Sequence, residues 1–117
     1  MATADFIEKT GVIEQGNIDL SKRRPIKTKD GEYATVRSMS FSDRNGVEIL
    51  IPTVVNGRIV SDDEAIQHYY NTGQHLGKYI SPEAANIAAQ RIHNAEALRI
   101  KNIRYSKMRT KLVGYYR

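Results

Sequence analysis

The sequence predicts an α+β fold: a small antiparallel β-meander of three to four strands packed with two helices, the C-terminal one long and basic. Three observations predict it. Residues 32–60 alternate apolar with polar side chains and are punctuated by turn dipeptides, the mark of short antiparallel strands. At Ser61 the period shifts from that of a strand to that of a helix. After Ser81-Pro82-Glu83 no Pro or Gly interrupts the chain until Gly114, which leaves room for one long helix.

The first 19 residues carry only a weak helical hint around Phe6 and Ile7, broken by Gly11 and Gly16, and read as an irregular arm. Ser21-Lys22-Arg23-Arg24-Pro25 is a basic approach to a strand, with Pro25 suited to an edge or first-strand position because it has no N–H to give a ladder. Asp30-Gly31 reads as a tight turn. From Glu32 to Phe41, the residues Ala34, Val36, Ser38 and Ser40 fall on one face of a strand, and Tyr33, Thr35, Arg37, Met39 and Phe41 on the other. Asn45-Gly46 tolerates the positive φ that a type I′ hairpin turn needs at both central positions. Val47 to Val55 is the most apolar stretch and reads as the central strand, with a bulge or sheet edge expected near Pro52. Asn56-Gly57 is a further turn, leading into a short Arg58-Ile59-Val60 strand.

Ser61 followed by Glu64 forms a capping box, and Asp62 and Asp63 suit the positive end of the helix dipole. The inner face of this helix is expected at Ala65, Ile66, Tyr69 and Tyr70, and Asn71-Thr72-Gly73 ends it. Gln74 to Ile80 reads as a looped or extended link. Ser81-Pro82-Glu83 then supplies a capping hydroxyl, a proline at the first helical position and a first-turn carboxylate. Ala84, Ile87, Ala88 and Ile92 are expected to pack on the sheet, and a helix of about 30 residues, longer than is usual in a globular domain, is expected to leave the body in its distal half.

At 117 residues there is room for one domain, and 40% hydrophobic with 26% charged residues is an ordinary globular balance. The absence of Cys excludes disulfides, thiolate zinc sites and cysteine nucleophiles. No apolar run approaches the ~20 residues of a membrane span, and the first ten residues lack the basic start and apolar centre of a signal peptide. Synthesis in the cytoplasm is expected. The organisation reads as residues 1–15 an N-terminal arm, 16–93 the α+β module and 94–117 a basic helical extension.

The templates for catalysis find little to hold. His68, His75 and His93 do not fall in a zinc-binding spacing, so no metal and no cofactor is expected, and packing, capping or exposed roles suit them. Asp62-Asp63-Glu64 is explained by its place at a helix start. No GxSxG, P-loop or GxGxxG occurs. The chain is expected to be no enzyme and to have no small-molecule substrate.

The charge is concentrated. The net +5 arises in the last segment: from Asn94 to Arg117 seven basic residues (Arg99, Lys101, Arg104, Lys107, Arg109, Lys111 and Arg117) face the single acid Glu96, for a net +6, and the rest of the chain carries −1. Arg and Lys neutralise phosphates and tyrosines stack on bases, so this helix with Tyr105, Tyr115 and Tyr116 suits nucleic acid. It suits an acidic protein or, less well, a membrane surface on the same grounds. Leu98, Tyr105, Met108, Leu112 and Tyr115 follow the steps of a seam that meets a partner helix, with Lys101 at one expected apolar position.

Gly16-Asn17-Ile18-Asp19-Leu20, Thr35-Val36-Arg37-Ser38-Met39-Ser40-Phe41, Ile49-Leu50-Ile51-Pro52-Thr53-Val54, Ser61 to Ile66, Thr72-Gly73-Gln74-His75-Leu76-Gly77-Lys78, Ser81-Pro82-Glu83-Ala84 and His93 form a series from Gly16 to His93. In these residues the chain resembles a small domain of tailed-bacteriophage virion proteins, internal or tail-associated. The resemblance implies a virion structural protein, portal-, tail- or ejection-associated or a capsid accessory, present in a multi-copy symmetric assembly. Its partners would be other virion proteins; the basic helix from Asn94 lies outside the resemblance, and its contact with neighbouring subunits or packaged DNA is expected from its charge alone. The resemblance assigns no catalytic residues. The alternative from another class is a free nucleic-acid-binding accessory or regulatory protein, and a third is an accessory or inhibitor of a hydrolase.

Overall fold

The computed structural model describes the backbone of residues 3–4, 9–27, 33–34 and 37–115, and the side chains of these except 27, 33, 34 and those after 103. The fold is α+β, as the sequence predicts: the described residues include eight short strands and two helices of 11 and 34 residues, with four of the strands in one antiparallel sheet. In chain order the strands are β1 (Val12–Gln15), β2 (Ile26–Lys27), β3 (Tyr33–Ala34), β4 (Ser38–Ser42), β5 (Glu48–Pro52), β6 (Val54–Val55), β7 (Arg58–Ile59) and β8 (Gly77–Tyr79). Helix α1 is Asp62–Thr72 and helix α2 is Pro82–Tyr115, and a short 3-10 helix spans Leu20–Lys22.

The main sheet runs β1-β8-β5-β4, and β2-β3 and β6-β7 form separate two-stranded ribbons. This is not a meander. The strand after α1, β8, inserts between β1 and β5, pairing Ile49 with Lys78 on one side and Glu14 with Lys78 on the other. Two segments read from sequence as irregular are therefore strands: Val12–Gln15 in the expected arm, and Gly77–Tyr79 in the expected link. β1, a bulged edge strand, shows no clean alternation, and β8 is only three residues long, too short for its alternation to be read from sequence, so both owe their form to the neighbours they pair with. The expected Glu32–Phe41 strand divides into β3 and β4, and β3 leaves the main sheet to pair with β2 directly after Pro25. The Asp30-Gly31 turn lies outside the described residues.

Strand β5 is central, and all five of its residues are buried. Ile49 and Ile51 face one side, where they pack with Val55, Val60 and Ala65 and are flanked by Met39, Phe41, Val47, Ile66 and Tyr69. Leu50 faces the other and packs with Leu76, Tyr79 and Ala85, flanked by Ala84, Ala88, Ala89 and Ile92 of α2. Helix α1 thus covers one face and α2 the other. Each such side chain contributes about 1.5–3 kcal/mol on leaving water. Pro52 ends β5, and the break at Thr53 puts its N–H on the Arg37 carbonyl at 2.6 Å. The Glu48 carboxylate is buried on the Leu50 side, where it accepts hydrogen bonds from Ser40 (2.6 Å) and Ser42. The serines of β4 therefore satisfy a buried charge.

The turns divide by residue. Asn56 (φ 52°) and Gly57 (φ 79°) both take positive φ between the paired Val55 and Arg58, as a type I′ turn requires. At Asn45-Gly46 only Gly46 does so, because Asp43 Oδ1 accepts the N–H groups of Asn45 (2.8 Å) and Val47 (3.0 Å) and holds a longer loop. Gly16 passes the Leu76 backbone so closely that a Cβ would stand 2.7 Å from its carbonyl carbon, which only glycine permits.

Ser61 caps α1 by accepting the Glu64 N–H at 3.2 Å, but the capping box is half made, because the Glu64 carboxylate pairs with Arg58 at 3.1 Å. Tyr70, expected inward, is 64% exposed, and so is Ile87 of α2 at 59%. Ser81 caps α2 through the Ala84 N–H at 3.1 Å. At 34 residues α2 is about 50 Å long at 1.5 Å per residue. Its inward stripe continues past the expected boundary at Asn94: Glu96 and Ile100 are buried. Among the described residues no helix is long and apolar enough to cross a membrane. Because Leu50 is 1% exposed, Leu50→Ala should lower the unfolding free energy by about 2–5 kcal/mol in urea denaturation; a loss below ~1 kcal/mol would contradict the core described.

Candidate functional site

The surface that stands apart from the core is the outer face of α2. On the inner face Arg99 and Glu96 fasten the helix to the N-terminal segment. The Arg99 guanidinium donates to Glu96 Oε2 from Nη2 (2.8 Å) and Nε (3.0 Å), and Nη2 also reaches the carbonyls of Leu20 (3.1 Å) and Arg23 (3.2 Å). Arg23 Nη1 donates to the Val54 carbonyl at 2.7 Å. Burial weighs against the Arg23 charge and lowers its pKa, while Glu96 favours that charge. The 3-10 helix is in turn capped by Asp19, whose side chain accepts the Ser21 hydroxyl and N–H, bonds that hold its carboxyl below the usual range. One planar fork thus ties the last carbonyls of the N-terminal segment to α2.

This settles how the basic residues divide. Arg99, expected on a binding face, is half-buried and spends its donors inside the molecule. The correction has a simple cause: Ile92, Glu96, Arg99, Ile100 and Ile103 fall at helical spacing on the inward stripe, so position 99 cannot face outward. Lys101 is exposed. Arg104, Lys107, Arg109 and Lys111 lie on the helical backbone beyond the described side chains, and Arg117 lies outside the described residues.

The outer stripe of the described helix runs Ile87, Arg91, Asn94, Leu98 and Lys101, all exposed. Ile87 and Leu98 are each 59% exposed. Leu98 is the first residue of the expected seam, and it faces away from the sheet. Tyr105, Met108, Leu112 and Tyr115 continue the same register along the backbone of α2.

A second group of polar residues was not anticipated. His75 is 3% exposed and sits between β8 and the end of α1. Its Nε2 lies 2.9 Å from Glu14 Oε2, and its Nδ1 accepts the Gly77 N–H at 3.0 Å. Nδ1 therefore carries no proton, and Nε2–H donates to Glu14. Lys78 approaches the same carboxylate at 3.4 Å. Asn17 completes the arrangement, accepting the His75 N–H at 2.8 Å while its own N–H reaches the His75 carbonyl at 3.0 Å. Tyr69 meets the His75 ring edge-on at 6.3 Å, and Phe41 (5.7 Å) and Tyr70 (5.2 Å) in the same T-shaped manner. With both ring nitrogens engaged in holding β1 to β8, His75 is a pin and not a free acid or base. No local motif announces it, because Asn17 and His75 are 58 positions apart. His68 lies near Gln74, His93 is exposed, and among the described residues no group of three or more His, Asp or Glu is placed to hold a metal.

Comparison with protein-family models, with curated proteins and with solved structures finds no match.

Two outcomes follow from these contacts. Arg99→Lys, which keeps the charge but loses the fork, should cost about 1–3 kcal/mol of stability, whereas Lys101→Gln should change it by less than ~0.5 kcal/mol; equal effects would remove the anchoring role. Burial lowers the His75 pKa from its ordinary 6.5, against the opposing pull of Glu14. A histidine whose folded pKa is depressed stabilises fully above its unfolded value, so stability should fall as pH drops below 6.5, by at most ~1.4 kcal/mol per pH unit. Urea titrations of wild type and His75→Gln from neutral to mildly acidic pH should diverge in slope; parallel slopes would count against the pin.

Proposed function

We propose that this chain is a non-enzymatic structural component of a tailed-phage virion, portal-, tail- or ejection-associated or a capsid accessory. It docks to other virion proteins through its α+β body, and α2 contacts neighbouring subunits or packaged DNA. The observation that carries the reading is the helix itself: a 34-residue rod is anchored to the body as far as Ile100, while an outer stripe with exposed Ile87 and Leu98 is left without cover from the chain's own described residues. The resemblance of residues 16–93 to a domain of phage virion proteins supports the setting. A multi-copy, symmetric particle supplies the multiplicity that turns weak helix contacts into firm attachment.

The reading with a free nucleic-acid-binding protein in its place is favoured by one feature, the six cations after Arg99 with no acid among them. Two measurements separate them. Mass spectrometry of purified particles should find the chain in multiple copies. Salt-titrated DNA binding should be compared for the full chain and a chain ending at Ile103, which keeps the Arg99 anchor. Tight binding that depends on the tail and weakens steeply with salt, from a protein missing from particles, would overturn the structural role.

A further inference from the structure

We propose that the outer seam of α2 receives an amphipathic helix with acidic flanks, contributed by another protein. The inference rests on the reading of the chain as a docking component, and it names the chemical class of the partner.

The seam runs Leu98, Lys101, Tyr105, Met108, Leu112 and Tyr115, alternating steps of three and four along one continuous helix, the spacing at which a second helix packs. Its described members, Leu98 and Lys101, are both exposed. The positions that flank such a seam and face a partner's flanks are Ala97, Asn102, Arg104, Arg109 and Lys111. Every charged residue there is a cation, and Lys101 places another within the seam.

That pattern decides against a second copy of this helix. In a parallel pair Arg104 would meet Arg109 of the other copy, and in an antiparallel pair the flanks again bring cation to cation. From Ala97 to Tyr115 the chain has no acid, and the nearest one, Glu96, is buried against Arg99 on the opposite face. A self-pair therefore has apolar complementarity and charge repulsion together. A helix with carboxylates at the flanking positions satisfies both, and one further carboxylate can answer Lys101. DNA would satisfy the cations but leave Leu98, Met108 and Leu112 against water or phosphate, so the seam favours protein.

The test uses the full chain and synthetic peptides of about three heptads with Leu at the core positions and either Glu or Lys at the flanks. The Glu-flanked peptide should bind, the Lys-flanked one at least ~10-fold more weakly. The double substitution Leu98→Ala with Leu112→Ala keeps every cation and touches no buried described residue; it should weaken the Glu-flanked peptide at least ~10-fold, with circular dichroism unchanged. Arg109→Glu should narrow the preference between the two peptides. The chain alone should sediment as a monomer at the assay concentration. Unchanged binding by the double variant, equal binding of both peptides, or self-association through α2 would overturn the proposal. So would duplex DNA binding that is tighter than the peptide's and indifferent to the double substitution. Presence in particles is read independently, so loss of seam-dependent binding from a chain that is in the virion removes the acidic helix and leaves the docking role standing.

Discussion

Strand β5 has no face toward water, and the rest of the architecture answers to that constraint. Ile49 and Ile51 need a cover on one side and Leu50 on the other, so a helix must lie on each face of a sheet that is only four strands wide. Its backbone needs partners on both edges as well. β4 supplies one through the hairpin, and β8 the other after α1 has crossed the sheet. The double burial also explains the polar residues nearby: Glu48 is carried into the interior by its place in the strand and is stabilised there by the hydroxyls of Ser40 and Ser42.

Much of this was legible in the sequence, and what was missed has a common cause. The apolar run at 47–55, the Asn56-Gly57 turn, the Ser61 cap and the Ser81-Pro82 start are local devices, and each appears where its residues place it. β1 and β8 are made by pairing across the chain; β1 carries no alternation and β8 is too short to display one in the sequence, so nothing local distinguishes them from loop. Of the candidate surface, the length of α2 and the outward Leu98 could be read, while Arg99 could not. Its charge matches its neighbours in the sequence, and only the carbonyls of Leu20 and Arg23, brought in by the fold, give it a different task.

The Glu96–Arg99 pair shows how one helix can serve both a body and a neighbour. On the inner stripe an acid and a base cancel, and the base alone donates onward to backbone oxygens, so that contact is neutral and satisfied. On the outer stripe Lys101 is exposed, and the sequence of the helix has no acid after Glu96. The same composition thus splits by register into an internal fastening and an outward charge, a division that composition alone conceals.

The insertion of β8 between β1 and β5 bears on how the chain is made. The first strand of the sheet emerges from the ribosome early, yet the edge it must pair with is synthesised only after the hairpin, the ribbon and α1. Until then Val12–Gln15 has no ladder to join, and closure of the sheet waits on a long-range contact. Until Gly77–Tyr79 is made, Val12–Gln15 is an unclaimed strand, the kind of edge that invites capture by a chaperone or by another copy's β8.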